Sequence, residues 1–126
     1  MAVLHPDNVD CTPPTDGALL EASVGPDWRG QSFCVMALES HGQTRALLRG
    51  ELDIAAIPGL VDVLMSLGAE EIDLTTLTFI DARGLTELLK AEAELRKVGV
   101  PCRIVGARGA VRRVFNVAGL LHRLGD

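Results

Sequence analysis

Aromatic side chains are scarce in this sequence. They make up 3% of the 126 residues, with three Phe, one Trp and no Tyr. The core must therefore be aliphatic, built from Leu, Val, Ile and Ala. The length suits one domain and is too short for two well-packed ones. With 48% hydrophobic and 23% charged residues, the composition is that of an ordinary globular domain that forms its core without covalent staples.

Cysteine and histidine are too few and too scattered for a disulfide framework or a metal site. The three cysteines are an odd number and include no CxxC pair, which argues against both kinds of site. Cys34 and Cys102 lie in apolar runs and are interpreted as small core residues. The histidines show no metal-ligand spacing. The six residues are Cys11, Cys34, Cys102, His5, His41 and His122.

Long apolar runs are also missing. The N-terminus has no basic stretch followed by an apolar one, so it does not resemble a signal peptide. No run approaches the roughly 18 apolar residues of a membrane span. The sequence predicts a cytoplasmic protein with reduced cysteines and no membrane insertion.

Charge is unevenly distributed along the chain. The net charge of −5 argues against direct nucleic-acid binding. Residues 51–95 carry ten acids and two bases, whereas residues 96–126 carry seven bases and one acid. If these segments fold onto different faces, the faces steer encounters with protein partners. The alternative is that they are ordinary solvated helix faces.

The N-terminal segment differs from the rest of the chain. Residues 1–30 contain four prolines, five acids and one base, without a sustained apolar period. This composition predicts a flexible acidic tail over 1–30 and a folded domain over 31–126.

Apolar periodicity in the folded part indicates alternating strands and helices. Two apolar runs joined by a Gly-containing turn predict an antiparallel hairpin. A helix with Pro58 in its first turn begins near Ala56 and ends at Gly68. The order β-β-α-β-α-β-α, with right-handed crossovers, predicts an α/β fold: one mixed four-stranded sheet with an antiparallel first hairpin and parallel later strands, packed with three to four helices. The strands are expected at 33–38, 45–49, 71–74 and 100–105, with a loop over 75–78, and the second and third helices at 82–98 and 111–118.

The second helix carries the clearest local signals. Asp81 is placed to cap its N-terminus and Gly99 to end it. Glu92 and Arg96 are expected to pair across one turn on the polar side. The apolar stripe consists of Leu85, Leu88, Ala91, Leu95 and Val98.

Four short motifs, in order and at matching spacing, resemble the signatures of one family. Gly50-Glu51-Leu52-Asp53 is similar to "G-x-L-D", Asp73-Leu74-Thr75 to "D-L-S/T", and the run 78–85 to "F-[I/M]-D-[S/A]-S-G-L". The run 112–120 is similar to a closing helix that ends at Gly-Leu. On these motifs residues 31–126 resemble a STAS domain of the anti-sigma-factor-antagonist type.

The resemblance implies a binding protein and no enzymatic activity. Antagonists of this kind bind an anti-sigma factor, a histidine-kinase-like ATPase, and thereby free a sigma factor. Phosphorylation of a serine at the start of the second helix releases the partner. Arg83 occupies that position here, so the local charge is fixed and no phosphorylation is expected there. Thr86 is the best substitute phosphoacceptor, although a plain surface threonine is the more ordinary interpretation.

The predicted partner-binding surface surrounds the start of the second helix. Asp53 and Asp81 should lie at the same sheet edge because both follow parallel strands. Asp81 is explained better as a helix cap. Asp53 is explained equally well as a turn residue, and Arg83 as an ordinary surface arginine that pairs with Glu87. No catalytic set, metal cluster or cofactor motif is recognised. The predicted surface comprises Asp53, Asp81, Ala82, Arg83, Gly84, Thr86, Glu87 and Lys90.

Two other functions stay open. The chain is alternatively a STAS scaffold or ligand-sensing module of a stressosome-like or transporter-linked system, and a homodimer is compatible with either role. The turn Gly106–Gly109 faintly resembles a phosphate-binding loop, which is the basis of a nucleotide-binding alternative. A plain strand-to-helix connection accounts for that turn better.

Overall fold

The computed structural model describes residues 18–21, 33–53 and 59–125. The strands are β1 (Ala18–Glu21), β2 (Phe33–Ser40), β3 (Gln43–Leu52), β4 (Glu71–Asp73), β5 (Leu77–Ile80) and β6 (Arg103–Val105). The helices are α1 (Leu60–Leu67), α2 (Ala82–Lys97) and α3 (Gly109–Val117), followed by a 3-10 turn over Leu121–Arg123. No described helix is both long and apolar enough to cross a membrane.

A tight hairpin organises the first half of the sheet. β2 pairs antiparallel with β3 along its whole length, from Phe33↔Gly50 to Ser40↔Gln43. The turn residues His41 and Gly42 have φ values of 53° and 79°. Positive φ at both central residues matches the right-handed twist of the two strands, so the predicted hairpin is confirmed.

β3 is the centre of a mixed sheet. On the side away from β2, its first half pairs parallel with β4 and its end pairs parallel with β5. β6 adds to β4, also parallel, and β1 pairs antiparallel with β2. The predicted α/β class, antiparallel first hairpin and parallel later strands are therefore confirmed.

The number of strands differs from the prediction. The described part of the sheet has six strands where four were expected. β5 begins inside the expected loop over 75–78, because β4 is only three residues long and leaves the end of β3 free to pair. β1 lies within the predicted tail over 1–30. The rest of that tail lies outside the described residues, so the tail stays a prediction. Ala56 and Pro58 also lie outside them, but the predicted helix start is wrong: α1 begins at Leu60, because Gly59 before it has a φ of 85° and is its N-cap.

One aliphatic core joins the sheet to the three helices. Leu48 and Leu52 of β3 pack with Leu64 of α1, Leu88 of α2 and Phe115 of α3, all fully buried. In α2 the predicted apolar stripe is buried from Leu85 to Leu95, but Val98 is 64% exposed. The prediction for Val98 is wrong because α2 ends at Lys97 and the chain reverses at Gly99, whose φ is 91°.

The surroundings of Glu92 and of Cys34 also differ from the prediction. Glu92 pairs with Arg96 as expected, at 3.6 Å, but it is 1% exposed, because the 3-10 turn brings Arg123 Nη2 to 2.5 Å from its carboxylate. Cys34 is buried and disulfide-bonded, so the expected absence of disulfides is wrong for this residue. Cys102 is buried with a free thiol, as predicted for a small core residue.

Candidate functional site

Two parallel strands end side by side beneath the predicted site. Leu52 of β3 and Ile80 of β5 are register partners, and each is followed directly by an aspartate. The Asp81 amide donates a hydrogen bond to the Leu52 carbonyl at 3.2 Å, which extends the pairing by one step. Asp53 and Asp81 therefore follow neighbouring strands at one sheet edge, as expected.

Asp81 caps α2 with a geometry that fixes the start of the helix. Its backbone is extended, with φ −102° and ψ 179°, and its carboxylate Oδ1 accepts a hydrogen bond from the Gly84 amide at 2.7 Å. The first intrahelical bond follows, from the Leu85 amide to the Asp81 carbonyl at 2.9 Å. This is the side-chain cap that satisfies an otherwise unpaired amide of the first turn, so the capping interpretation is confirmed.

Gly84 is where α2 touches the sheet. It is buried, and a Cβ at this position would lie 2.5 Å from the Leu52 carbonyl oxygen and 3.0 Å from Leu52 Cγ. Only hydrogen fits in that space, so the first turn of α2 rests directly on the end of β3. This contact gives Gly84 a packing role beneath the surface and leaves its neighbours Arg83 and Ala82 outside.

The outward face of the first two turns of α2 is open to solvent. Ala82, Arg83, Thr86 and Lys90 are exposed and Glu87 is half-buried. In the described part of the chain neither Arg83 nor Glu87 makes an ion pair, so the expected pairing is not formed and the Arg83 guanidinium is available. Thr86 Oγ1 donates to the Ala82 carbonyl at 2.9 Å, a local bond that ties this hydroxyl to the helix backbone.

Phe79 is an exposed large apolar residue of β5 and was not among the predicted surface residues. It lies in β5 two residues before Asp81 and is 43% exposed, while its strand neighbours Leu77 and Ile80 are buried. Thr78 beside it is exposed and donates its hydroxyl to the Gly50 carbonyl at 3.0 Å. The register shift between β3 and β5 makes Thr78 an extra residue, so Leu77 and Ile80 face the core while Phe79 pairs with the exposed Glu51 and faces outward. Local sequence contains no signal for this, because the shift depends on pairing with β3.

The turn between β6 and α3 is packed against the preceding loop. Asp73 Oδ1 accepts a hydrogen bond from the Thr75 amide at 2.8 Å. A side chain at Gly106 would collide with Thr75 Oγ1 and lie 2.9 Å from Asp73 Oδ1. The close packing of Gly106 against Thr75 and Asp73 fits the interpretation of this turn as a plain strand-to-helix connection.

Comparison with known proteins places this architecture in a family. The family model described as "STAS domain" matches residues 39–124. The chain belongs to the STAS-domain family. Among curated protein sequences, none matches it. The match to the family model extends from the β2–β3 turn to the 3-10 turn. It therefore includes the whole surface at the start of α2.

Solved structures of anti-sigma factor antagonists share the fold. An anti-sigma factor antagonist from Mycobacterium paratuberculosis is 26% identical, with a TM-score of 0.64 over 75% of this chain and 84% of that one. SpoIIAA, an anti-sigma factor antagonist, in its unphosphorylated form is 22% identical, with a TM-score of 0.60 over 74% and 87%. The phosphorylated form of SpoIIAA, a Bacillus cell fate determinant, is 21% identical, with a TM-score of 0.54 over 74% and 90%.

Proposed function

We propose that this STAS-domain protein is an anti-sigma factor antagonist. It acts in the bacterial cytoplasm, without catalysis, by binding a histidine-kinase-like anti-sigma factor and so regulating the availability of a sigma factor. The proposal is supported by the anti-sigma factor antagonists among its structural relatives. The observation that carries it is the solvent-facing N-terminus of α2, where Arg83 is exposed directly before the buried Gly84.

The chemistry of this surface suits a protein partner. Arginine and exposed aromatic residues are the side chains that most often dominate binding energy at interfaces. Arg83 offers a planar set of donors to a partner carboxylate, and Phe79, exposed on β5, offers apolar area. The Asp81 cap and the Gly84 contact fix the backbone of the helical turn that carries Arg83, which lowers the entropy lost on binding. Asp53, Thr86, Glu87 and Lys90 form the polar rim.

Arg83 also sets the regulation that we propose. The resemblance to antagonists implies that the family's phosphorylated serine corresponds to this position, where a phosphate adds about −1.5 to −2 charges. Arg83 has no hydroxyl and keeps its positive charge, so kinase activity of the partner cannot release the complex through this residue. The antagonist is then constitutively able to bind or responds to a different signal.

Titration against candidate anti-sigma factors in the presence of ATP tests the proposal. We expect binding by the full chain, weakened about tenfold or more in Arg83→Glu, because the substitution reverses a charge at the centre of the surface. Lys97→Glu is the matched control, since Lys97 is an exposed cation at the opposite end of α2. Failure of wild type and Arg83→Ser to bind any such factor would refute the proposal.

Mass spectrometry after incubation with the same factors tests the regulatory part. We expect no phosphate on Ala82 or Arg83 of the wild type, and phosphate on the new hydroxyl of Arg83→Ser. Phosphate on Thr86 of the wild type would show that the phosphorylated position has moved by one helical turn.

Sedimentation velocity tests the scaffold alternative. One or two chains per particle fit an antagonist, whereas a large defined particle fits a stressosome-like scaffold.

A further inference from the structure

The outer face of α3 is a basic surface at a different place from the start of α2. Val111 and Phe115 face the core and are fully buried, while Arg112, Arg113 and Asn116 are exposed. Val117, on the same outer side, is 82% exposed. α3 is thus amphipathic in the usual sense, but its outer side combines cations with an aliphatic side chain.

The cations of this surface are not neutralised within the described ranges of the chain. The other arginines of the C-terminal segment have partners: Arg103 pairs with Glu71, and Arg96 and Arg123 pair with Glu92. In contrast, no described acidic side chain forms an ion pair with Arg108, Arg112 or Arg113. The result is a local positive potential on a protein whose net charge is −5.

An open groove runs along the same surface. It has a volume of about 270 Å³ and is lined by Gly109, Arg112, Arg113, Asn116 and Leu121. Leu121, at the start of the 3-10 turn, is 37% exposed. The groove therefore presents guanidinium groups and an amide together with the aliphatic side chain of Leu121, the mixture found where a charged peptide packs an apolar side against a protein.

We propose that this α3 surface docks an acidic, amphipathic segment of a partner protein. Carboxylates of the segment pair with Arg112 and Arg113, and its apolar side chains cover Val117 and Leu121. A protein segment fits better than a nucleic acid, because aliphatic exposure contributes nothing to phosphate contacts and the acidic remainder of the chain repels a polyanion. The inference does not depend on the anti-sigma factor proposal, since it concerns a different helix and different residues.

A designed peptide tests the proposal on the full chain. The probe is a 15-residue peptide of Glu, Leu and Ala with glutamates four residues apart, titrated into ¹⁵N-labelled protein. We expect amide shift changes confined to residues 109–121 and weaker binding at higher salt. Arg112→Glu combined with Arg113→Glu should weaken the affinity about tenfold, and Val117→Ser should weaken it without changing the salt dependence. Lys97→Glu reverses an exposed charge on α2, outside the α3 surface, and this variant should bind like the wild type.

Several results would overturn the proposal. One is the absence of shift changes at millimolar peptide, and another is equal binding of a peptide in which every Glu is replaced by Gln. Shift changes that appear on concentrating the protein alone would assign the surface to a second copy of the chain. Tighter binding of a 20-base-pair DNA duplex at the same residues would assign the surface to nucleic acid.

Urea unfolding of the variants is the control. Unchanged midpoints would show that the substitutions act on binding and not on folding.

Discussion

Single contacts decide where α2 begins. The Asp81 carboxylate fixes the helix start through the Gly84 amide, and Gly84 itself fits against the Leu52 carbonyl. Because a hydrogen is all that the space admits, the residue that follows Arg83 is constrained by packing, whereas Arg83 is not. Packing therefore restricts position 84 to glycine and places no such restriction on position 83.

Gly84→Ala tests this constraint because two effects oppose each other. Alanine favours the helix by about 1 kcal/mol relative to glycine, but its methyl group would lie 2.5 Å from a backbone oxygen that cannot turn away. Overpacking of this kind costs about 1–3 kcal/mol. We therefore expect a lower free energy of unfolding in urea. Ala93→Gly, at an exposed position of the same helix, should lose only the propensity, and a more stable Gly84→Ala would contradict the argument.

Cys102 gives a pH dependence with a definite sign. Burial, with a further contribution from the Glu92 carboxylate against an opposing one from Arg96, raises the pKa of the Cys102 thiol from 9.0 to about 12. The unfolded thiol loses its proton at lower pH than the folded one, so stability is unaffected below pH 9 and is lost as the pH rises from about 9 to 12. Urea midpoints across that range should fall less in Cys102→Ala, after allowance for its cavity.

The same thiol should be unreactive while the protein is folded. We expect slow alkylation of Cys102 by iodoacetamide at pH 8 and fast alkylation in urea, since the thiolate is the reacting form. Peptide mass spectrometry distinguishes Cys102 from the other cysteines. Fast labelling of Cys102 in the folded protein would contradict the raised pKa.

At the scale of elements, α2 is tied to the C-terminal end of the chain. Glu92 is buried and receives Arg123 from the 3-10 turn and Arg96 from its own helix. Arg96 also donates to the Cys102 carbonyl at 2.9 Å, so one carboxylate organises α2, the start of β6 and the 3-10 turn. The apolar period places Glu92 on the polar side of α2. It gives no sign of the burial, because Arg123, which buries the carboxylate, lies 31 residues further along the chain.

Arg123→Ala tests how much the Arg123–Glu92 ion pair contributes to the free energy of unfolding. Removing Arg123 leaves the buried Glu92 with only Arg96, so we expect a loss of about 1–3 kcal/mol in the free energy of unfolding. The Gly125 amide, which donates to the Ile104 carbonyl at 2.7 Å, should exchange faster with deuterium. Lys97→Ala removes an ion pair with the exposed Glu94 and should change stability by less than about 0.5 kcal/mol. Equal effects of the two substitutions would show that Glu92 is not structurally important.

At the scale of the whole molecule, β3 connects the two halves of the sheet. It is paired with β2 on one side and with β4 and β5 on the other, while β1 and β6 lie at the ends of the strand path. We expect the β3 amides to show the slowest hydrogen–deuterium exchange and those of β1 the fastest among the strands, because opening the centre requires loss of the core. Exchange of β1 as slow as that of β3 would contradict this order.

The sequence by itself determined the local structure and the family. Apolar periods and caps determined the hairpin, α2 and α3, since these signals act over three or four residues, and four motifs in register indicated a STAS domain. Tertiary structure decided what depends on distant neighbours. β5 became a strand because β3 had free pairing groups, and Glu92 became buried because Arg123 reaches it. Phe79 is exposed because a register shift in the pairing of β5 with β3 turns it away from the core. Local sequence carries no information about such partners, which the topology alone brings together.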